Sequence, residues 1–153
     1  MLYLACTPLT EPLTILWAVL TAYGVFRFRE SGGMPALVAA GLAAFFGTLT
    51  RYDGWYLLPF AALYVFCARR ESFRDRLRHT VLFSAIAGFG PVLWVIHNAV
   101  RFGNPLEFLN GPYSAQAIYA EQVARTGFRY PTDGSFLLSA RYYLADLALV
   151  IGP

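Results

Sequence analysis

Between Val81 and Val100 the chain reads VLFSAIAGFGPVLWVIHNAV, a run without a single Asp, Glu, Lys or Arg. A helix of about 20 residues rises about 30 Å, the depth of a bilayer's hydrocarbon core. Both flanks are basic, with Arg74, Arg76 and Arg78 before the run and Arg101 after it. Pro91, with Gly88 and Gly90 beside it, predicts a kink. Four further apolar blocks lie on either side, and the predicted spans are residues 12–26, 35–49, 55–68, 81–100 and 136–153. A long loop over 101–135 separates the last two. The first three are short for a bilayer and need flanking residues or local thinning to cross it. The expected fold is all-α: a polytopic transmembrane helical bundle with about four to five spans, read as one transmembrane domain over 1–153.

Composition points the same way. The 153 residues are 58% hydrophobic, 17% aromatic and 14% charged, against roughly 25% charged in soluble domains. A soluble domain of this size could not bury so much apolar surface. The net charge is +3 and every basic residue is Arg. These arginines are sorted by membrane side, which makes them a topology signal and excludes a nucleic-acid surface. The two cysteines, Cys6 and Cys67, form no disulfide framework and fall near opposite faces in this topology. No basic residue precedes Arg27, so the stretch from Met1 does not read as the basic n-region of a secretory signal. Both ends are apolar and abrupt, and we read the sequence as part of a longer membrane protein.

The loops after the first and third spans carry Arg27, Arg29, Arg69, Arg70, Arg74, Arg76 and Arg78. The other side holds Arg51 in a tight turn, then Arg101, Arg125 and Arg129. The positive-inside rule makes the first set cytoplasmic. Three segments then share the outer face: the start of the first span (Thr7 to Pro12), the turn Arg51-Tyr52-Asp53-Gly54, and the loop from Arg101 to Ser135. Ionisable groups there are costly and stand as functional candidates.

Each has a structural reading as well. Glu11, between Thr10 and Pro12, suits the first turn of a helix capped by Thr7 or Thr10. Its position favours that role, and a base or a ligand to a divalent cation is the functional alternative. Arg51 offers a forked guanidinium to a phosphate, while Asp53 and Gly54 make a cap and a turn. Trp94, His97, Asn98 and Arg101 lie on one helical face at i, i+3, i+4 and i+7. That polar stripe faces a cavity or makes interhelical hydrogen bonds. His97 has no His or Cys partner for a metal site.

In the long loop, Asn104, Pro105 and Glu107 read as N-cap, first helical residue and capping-box acid. Ser114 to Thr126 reads as an interfacial helix, followed by a turn at Pro131-Thr132-Asp133-Gly134. Ser72 and Asp75 make a capping box for a basic helix leading into residues 81–100, whose arginines anchor to anionic lipid. Arg141 and Asp146 are charged within an apolar run and call for partners on other helices.

Taken in order, Thr10-Glu11-Pro12-Leu13, Arg51-Tyr52-Asp53-Gly54-Trp55, and Trp94 to Ala115 through Phe102-Gly103-Asn104-Pro105-Leu106-Glu107-Phe108 resemble the family-39-type membrane glycosyltransferases of GT-C architecture. These are relatives of protein O-mannosyltransferases and of the lipid A aminoarabinose transferase. The resemblance implies transfer of a sugar from a polyprenyl-phosphate carrier to an acceptor, here of unknown identity, on the outer face of a prokaryotic plasma membrane. It implies that Glu11 is the second acid of the site, supporting it or a bound divalent cation. Arg51 and Arg101 become phosphate contacts, with Tyr52, Asp53, His97 and Asn98 beside them. The leading acid of the family's first outer loop is expected upstream of Met1, so these residues alone are expected to be inactive. A transporter or flippase, or a non-enzymatic membrane subunit, are the competing readings. Transporters gather polar breaks at the midplane, whereas here the polar groups collect at one face.

Reporter fusions test the orientation. A reporter active only in the cytoplasm is expected to work after Arg70 and to be silent after Pro131; activity after Pro131 would reverse the topology.

Overall fold

The computed structural model describes residues 10–151, without the side chains of Asp53, Val150 and Ile151. Cys6, the proposed Thr7 cap and the last two residues of the 136–153 span lie outside the described residues. The described residues form helices and no strand: α1 (Glu11–Ser31), α2 (Met34–Thr50), α3 (Asp53–Cys67), α4 (Phe73–Phe102), α5 (Glu107–Asn110), α6 (Ala115–Thr126) and α7 (Phe136–Ile151). They fall into two compact units, residues 1–105 and 106–153.

The local signals set most boundaries. Ser72 caps α4, its hydroxyl accepting from the Asp75 amide at 3.2 Å, as the capping box requires. At the far end of α4, Gly103 takes φ 70° and its amide donates to Ala99 O, a left-handed cap suited to glycine. The helix runs unbroken through Pro91. Ser114 caps α6, and residues 131–134 form the expected turn.

Other boundaries moved. Arg27 and Arg29 lie within α1 rather than in a loop, because the chain turns only at Gly32 and Gly33. Arg74, Arg76 and Arg78 belong to α4, which fuses the basic helix to the apolar run. Arg101 closes that helix, and the expected loop 101–135 contains α5 and α6. The short helix α5 starts at Glu107 with Leu106 in the cap position, so Asn104 and Pro105 precede it. The helix α3 starts at Asp53 with Tyr52 in the cap position.

Of the expected spans, α4 is long and apolar enough to cross a membrane. The apolar α2 has 17 residues and α3 has 15, so at 1.5 Å per residue each falls short of about 30 Å. By length and composition α4 is the one candidate span among the described residues, and the expected count of four to five is not confirmed.

In the first unit α2 is the central helix. Leu37, Ala40, Gly41, Ala43, Ala44, Gly47 and Thr48 are all buried on it, and α1, α3 and α4 all pack against it. The contacts rely on small residues, which let backbones approach closely. A Cβ on Gly24 of α1 would stand 2.8 Å from Ala40 Cβ, and one on Gly54 of α3 would stand 2.8 Å from Gly47 O. Gly90 of α4 lies directly against the Thr48 hydroxyl. Phe28, Leu37, Val65 and Phe83 fill the core beneath.

The helices alternate in direction, so Arg29, Arg69 and Arg76 share one end and Arg51 lies at the other. At the basic end, Arg69 donates to Arg29 O at 3.2 Å and pairs with Glu71 at 2.5 Å. Glu71 Oε2 lies 3.1 Å from His79 Nδ1, and the His79 ring meets Phe28 edge-on. Arg76 donates to Phe66 O and covers the Phe66 ring. These arginines tie helix ends together. The outward faces remain apolar, with Phe60 70% and Leu63 61% exposed. In the second unit α7 is open too, with Phe136 88% and Leu149 82% exposed. Contiguous apolar surface of this kind needs lipid or other helices to cover it.

Gly54→Ala is expected to lower stability by about 1–3 kcal/mol, because its methyl meets backbone that cannot yield. Gly88→Ala, with nothing within 4 Å of the added atom, is expected to be neutral or stabilising by up to about 1 kcal/mol. Thermal unfolding in detergent separates the two; equal melting temperatures would contradict the packing described.

Candidate functional site

Arg51 sits where α2 ends. Its backbone is extended (φ −152°, ψ 151°), and its amide donates to Gly47 O at 3.3 Å. This break turns the side chain back across the start of α1. Arg51 Nη1 donates to Glu11 Oε1 at 2.7 Å and to Thr10 Oγ1 at 3.3 Å. Thr10 occupies the cap position of α1 but makes no side-chain cap bond; its hydroxyl serves Arg51 instead. Glu11 has one oxygen on Arg51, while Oε2 is buried without a hydrogen-bond partner among the described residues. Both side chains are partly exposed, at 37% and 44%. An ion pair so open to water is worth about 1 kcal/mol or less, so it positions the guanidinium more than it holds the fold.

Tyr52 begins an aromatic cluster. Its ring meets Trp55 edge-on at 5.6 Å and Trp94 at 6.0 Å. The Trp55 indole N–H donates to Thr48 O at 3.0 Å. The Trp94 indole Nε1 is buried and has no hydrogen-bond partner among the described residues. Trp94 stacks on His97 at 5.5 Å, and His97 meets Phe102 edge-on. Thr48, Leu49, Thr50, Arg51, Tyr52 and Trp94 line a cleft of about 350 Å³. A second, apolar groove of about 280 Å³ runs between α1, α2 and α3, from Thr14 and Gly54 past Trp17 and Leu57 to Phe26 and Tyr64. Its near end is one turn from Glu11, and the Gly54 amide donates to Arg51 O. Arg51 therefore lines a cleft of mixed polar and apolar residues, and its backbone adjoins Gly54 at the near end of the apolar groove.

The structure thus brings Glu11, Arg51 and Tyr52 together and adds the end of α4 through Trp94. The stripe on α4 divides. Asn98 is 2% exposed and its Nδ2 donates to Trp94 O within the same helix at 2.7 Å. His97 and Arg101 are exposed. The side chain of Asp53 lies outside the described residues. In the second unit, the Tyr119 hydroxyl donates to Asp133 and accepts from the Tyr130 amide, which ties α6 to the following turn.

Among the described residues no three His, Cys, Asp or Glu side chains come together, and the Glu11 Oε1 is taken by Arg51.

Sequence reasoning placed Glu11 and Arg51 on one face but did not pair them. A contact across 40 residues leaves no periodic signal. Trp94 was placed on a polar helical face, but its contact with Tyr52, 42 residues earlier, leaves no signal in spacing either.

A search of curated proteins and of solved structures finds no match. The family model for dolichyl-phosphate-mannose-protein mannosyltransferases matches residues 1–95. That stretch is more than half of the chain and holds Glu11, Arg51, Tyr52 and Trp94. The chain belongs to the dolichyl-phosphate-mannose-protein mannosyltransferase family.

Proposed function

We propose that this chain is the part of a membrane glycosyltransferase that holds a polyprenyl-phosphate sugar donor, with Arg51 on the phosphate. The observation that carries the reading is the position of Arg51 in a cleft of mixed polar and apolar lining, next to Gly54 at the near end of an apolar groove. A lipid-linked sugar has the same division: an apolar chain, an anionic joint and a hydroxylated head. The apolar groove suits the chain, and the guanidinium suits the joint, since it offers several N–H donors in a planar fork.

In the transfer, the acceptor hydroxyl oxygen bonds to the anomeric carbon as the bond from that carbon to the carrier phosphate breaks, and its proton passes to the acidic residue expected upstream of Met1. Negative charge collects on the leaving phosphate, where a fixed cation stabilises it. Arg51 fills that role. Glu11, bound to Arg51 through Oε1, is a positioning residue in this account. It keeps the guanidinium turned toward the start of α1, together with Thr10. The exposed apolar faces of α1 to α4 and α7 meet lipid or neighbouring helices, so the shorter helices cross a multi-pass bundle with help from their flanks. The site opens on the extracytoplasmic face of a prokaryotic plasma membrane, opposite the arginine-rich end.

Transfer of labelled mannose from a polyprenyl-phosphate donor, in membranes holding the intact protein, tests this. Arg51→Ala is expected to reduce transfer by about 100-fold or more, and Arg51→Lys to restore only part of it, because a single ammonium lacks the fork. Glu11→Gln is expected to cut transfer by about tenfold or more while membrane insertion is unchanged. Normal transfer by both Arg51→Ala and Glu11→Gln would reject the assignment.

A further inference from the structure

Beside the groove that reaches α3, another apolar groove of about 490 Å³ is lined by α1 and α2 alone. Gly24, Ala36, Ala39 and Ala43 line its length, and their small side chains leave it open. Leu20 and Leu42 edge it, 39% and 46% exposed. At one end stand Trp17 and Phe46, whose rings stack at 5.1 Å. At the other stands Arg27, in the arginine-rich end of the unit.

Arg27 differs from the arginines around it. Arg29 donates to the Tyr64 hydroxyl on α3, and Arg76 to Phe66 O. Arg27 instead pairs with Glu30 of its own helix at 3.4 Å, with the two side chains 55% and 68% exposed. A pair so open to water is weak, so the guanidinium remains available to an anion at the mouth of the groove. Its forked donors suit a phosphate.

The depth of the groove identifies what lies in it. At about 1.5 Å per residue, α1 rises about 15 Å between Trp17 and Arg27. That is half of a hydrocarbon core about 30 Å thick, the depth of one leaflet. A lipid chain ends with its leaflet, whereas a neighbouring helix would run past Trp17 and Phe46 to the far face.

We propose that this groove holds one acyl chain of an anionic phospholipid from the leaflet at the arginine-rich end, with the headgroup phosphate on Arg27. The arginine excess there favours a headgroup of net negative charge. The site is separate from the donor groove, which lies against α3 with its near end at Gly54. It rests on the reading of α1 and α2 as embedded helices and not on the assignment of Arg51.

The test uses the intact protein in phosphatidylcholine nanodiscs holding a phosphatidylglycerol with a diazirine on one acyl chain. Labelling of Leu20 and Leu42 is expected, competed by unlabelled phosphatidylglycerol and not by added phosphatidylcholine. Arg27→Gln is expected to reduce it about fivefold, and Ala39→Trp, a bulky side chain at an exposed position, to block it. Arg74→Gln, at the same end but outside the groove, is expected to leave it unchanged. Equal competition by the two lipids would make the groove ordinary lipid contact and overturn the proposal. An equal loss in Arg27→Gln and Arg74→Gln would show a general basic surface and overturn it too. Labelling of the outward Val19 without Leu20 or Leu42 would mean that protein covers the groove, rejecting the site while leaving the helices embedded. No labelling of α1 or α2 would reject the embedded reading and the site together.

Discussion

The close approach of α2 to its neighbours sets everything else in the first unit. Ala40, Gly47 and Thr48 take up Gly24 of α1, Gly54 of α3 and Gly90 of α4 at separations that leave no room for a Cβ. Apolar helices gain little from mutual burial when the surrounding medium is itself apolar, so shape and small residues decide which helices touch. Because α2 is held on several sides, its C-terminal break at Arg51 is held as well. The guanidinium then reaches Glu11 on α1, and Tyr52 reaches Trp94 on α4. The site is the consequence of a packing seam that ends at it.

Much of this architecture was legible in the sequence. The apolar run from Val81 to Val100, the Ser72–Asp75 cap and the Ser114 start of α6 are local signals, and each set an observed element. Less legible was where the basic segments lie. Arg27 and Arg29 read as loop residues because charge marks a membrane edge, yet a helix continues through such an edge when nothing breaks it. The number of crossings was also beyond local signals. A helix of 15 or 17 residues is apolar enough for lipid but not long enough to prove a span, so its role depends on tilt, flanks and neighbours.

The candidate site was legible as a set of residues and not as a geometry. Sidedness put Glu11, Arg51 and the end of α4 on one face, and the structure brings them together. Position favoured Glu11 as a helix-start carboxylate, and it is one, but it also binds the arginine. Asn98 looked equivalent to His97 on a helical wheel. One is buried and bonded to its own helix, while the other is exposed, because the wheel gives spacing without depth.

The central claim is that Arg51 joins a chain-binding groove to a head-binding cleft. It is tested most directly by photolabelling the intact protein with a polyprenyl phosphate bearing a diazirine in its second isoprene unit, with unlabelled carrier as competitor. The account predicts competed labelling at groove residues such as Trp17, Thr21 and Leu57, lost in Arg51→Ala. Competed labelling confined to outward-facing residues such as Val19, or labelling indifferent to Arg51, would contradict it.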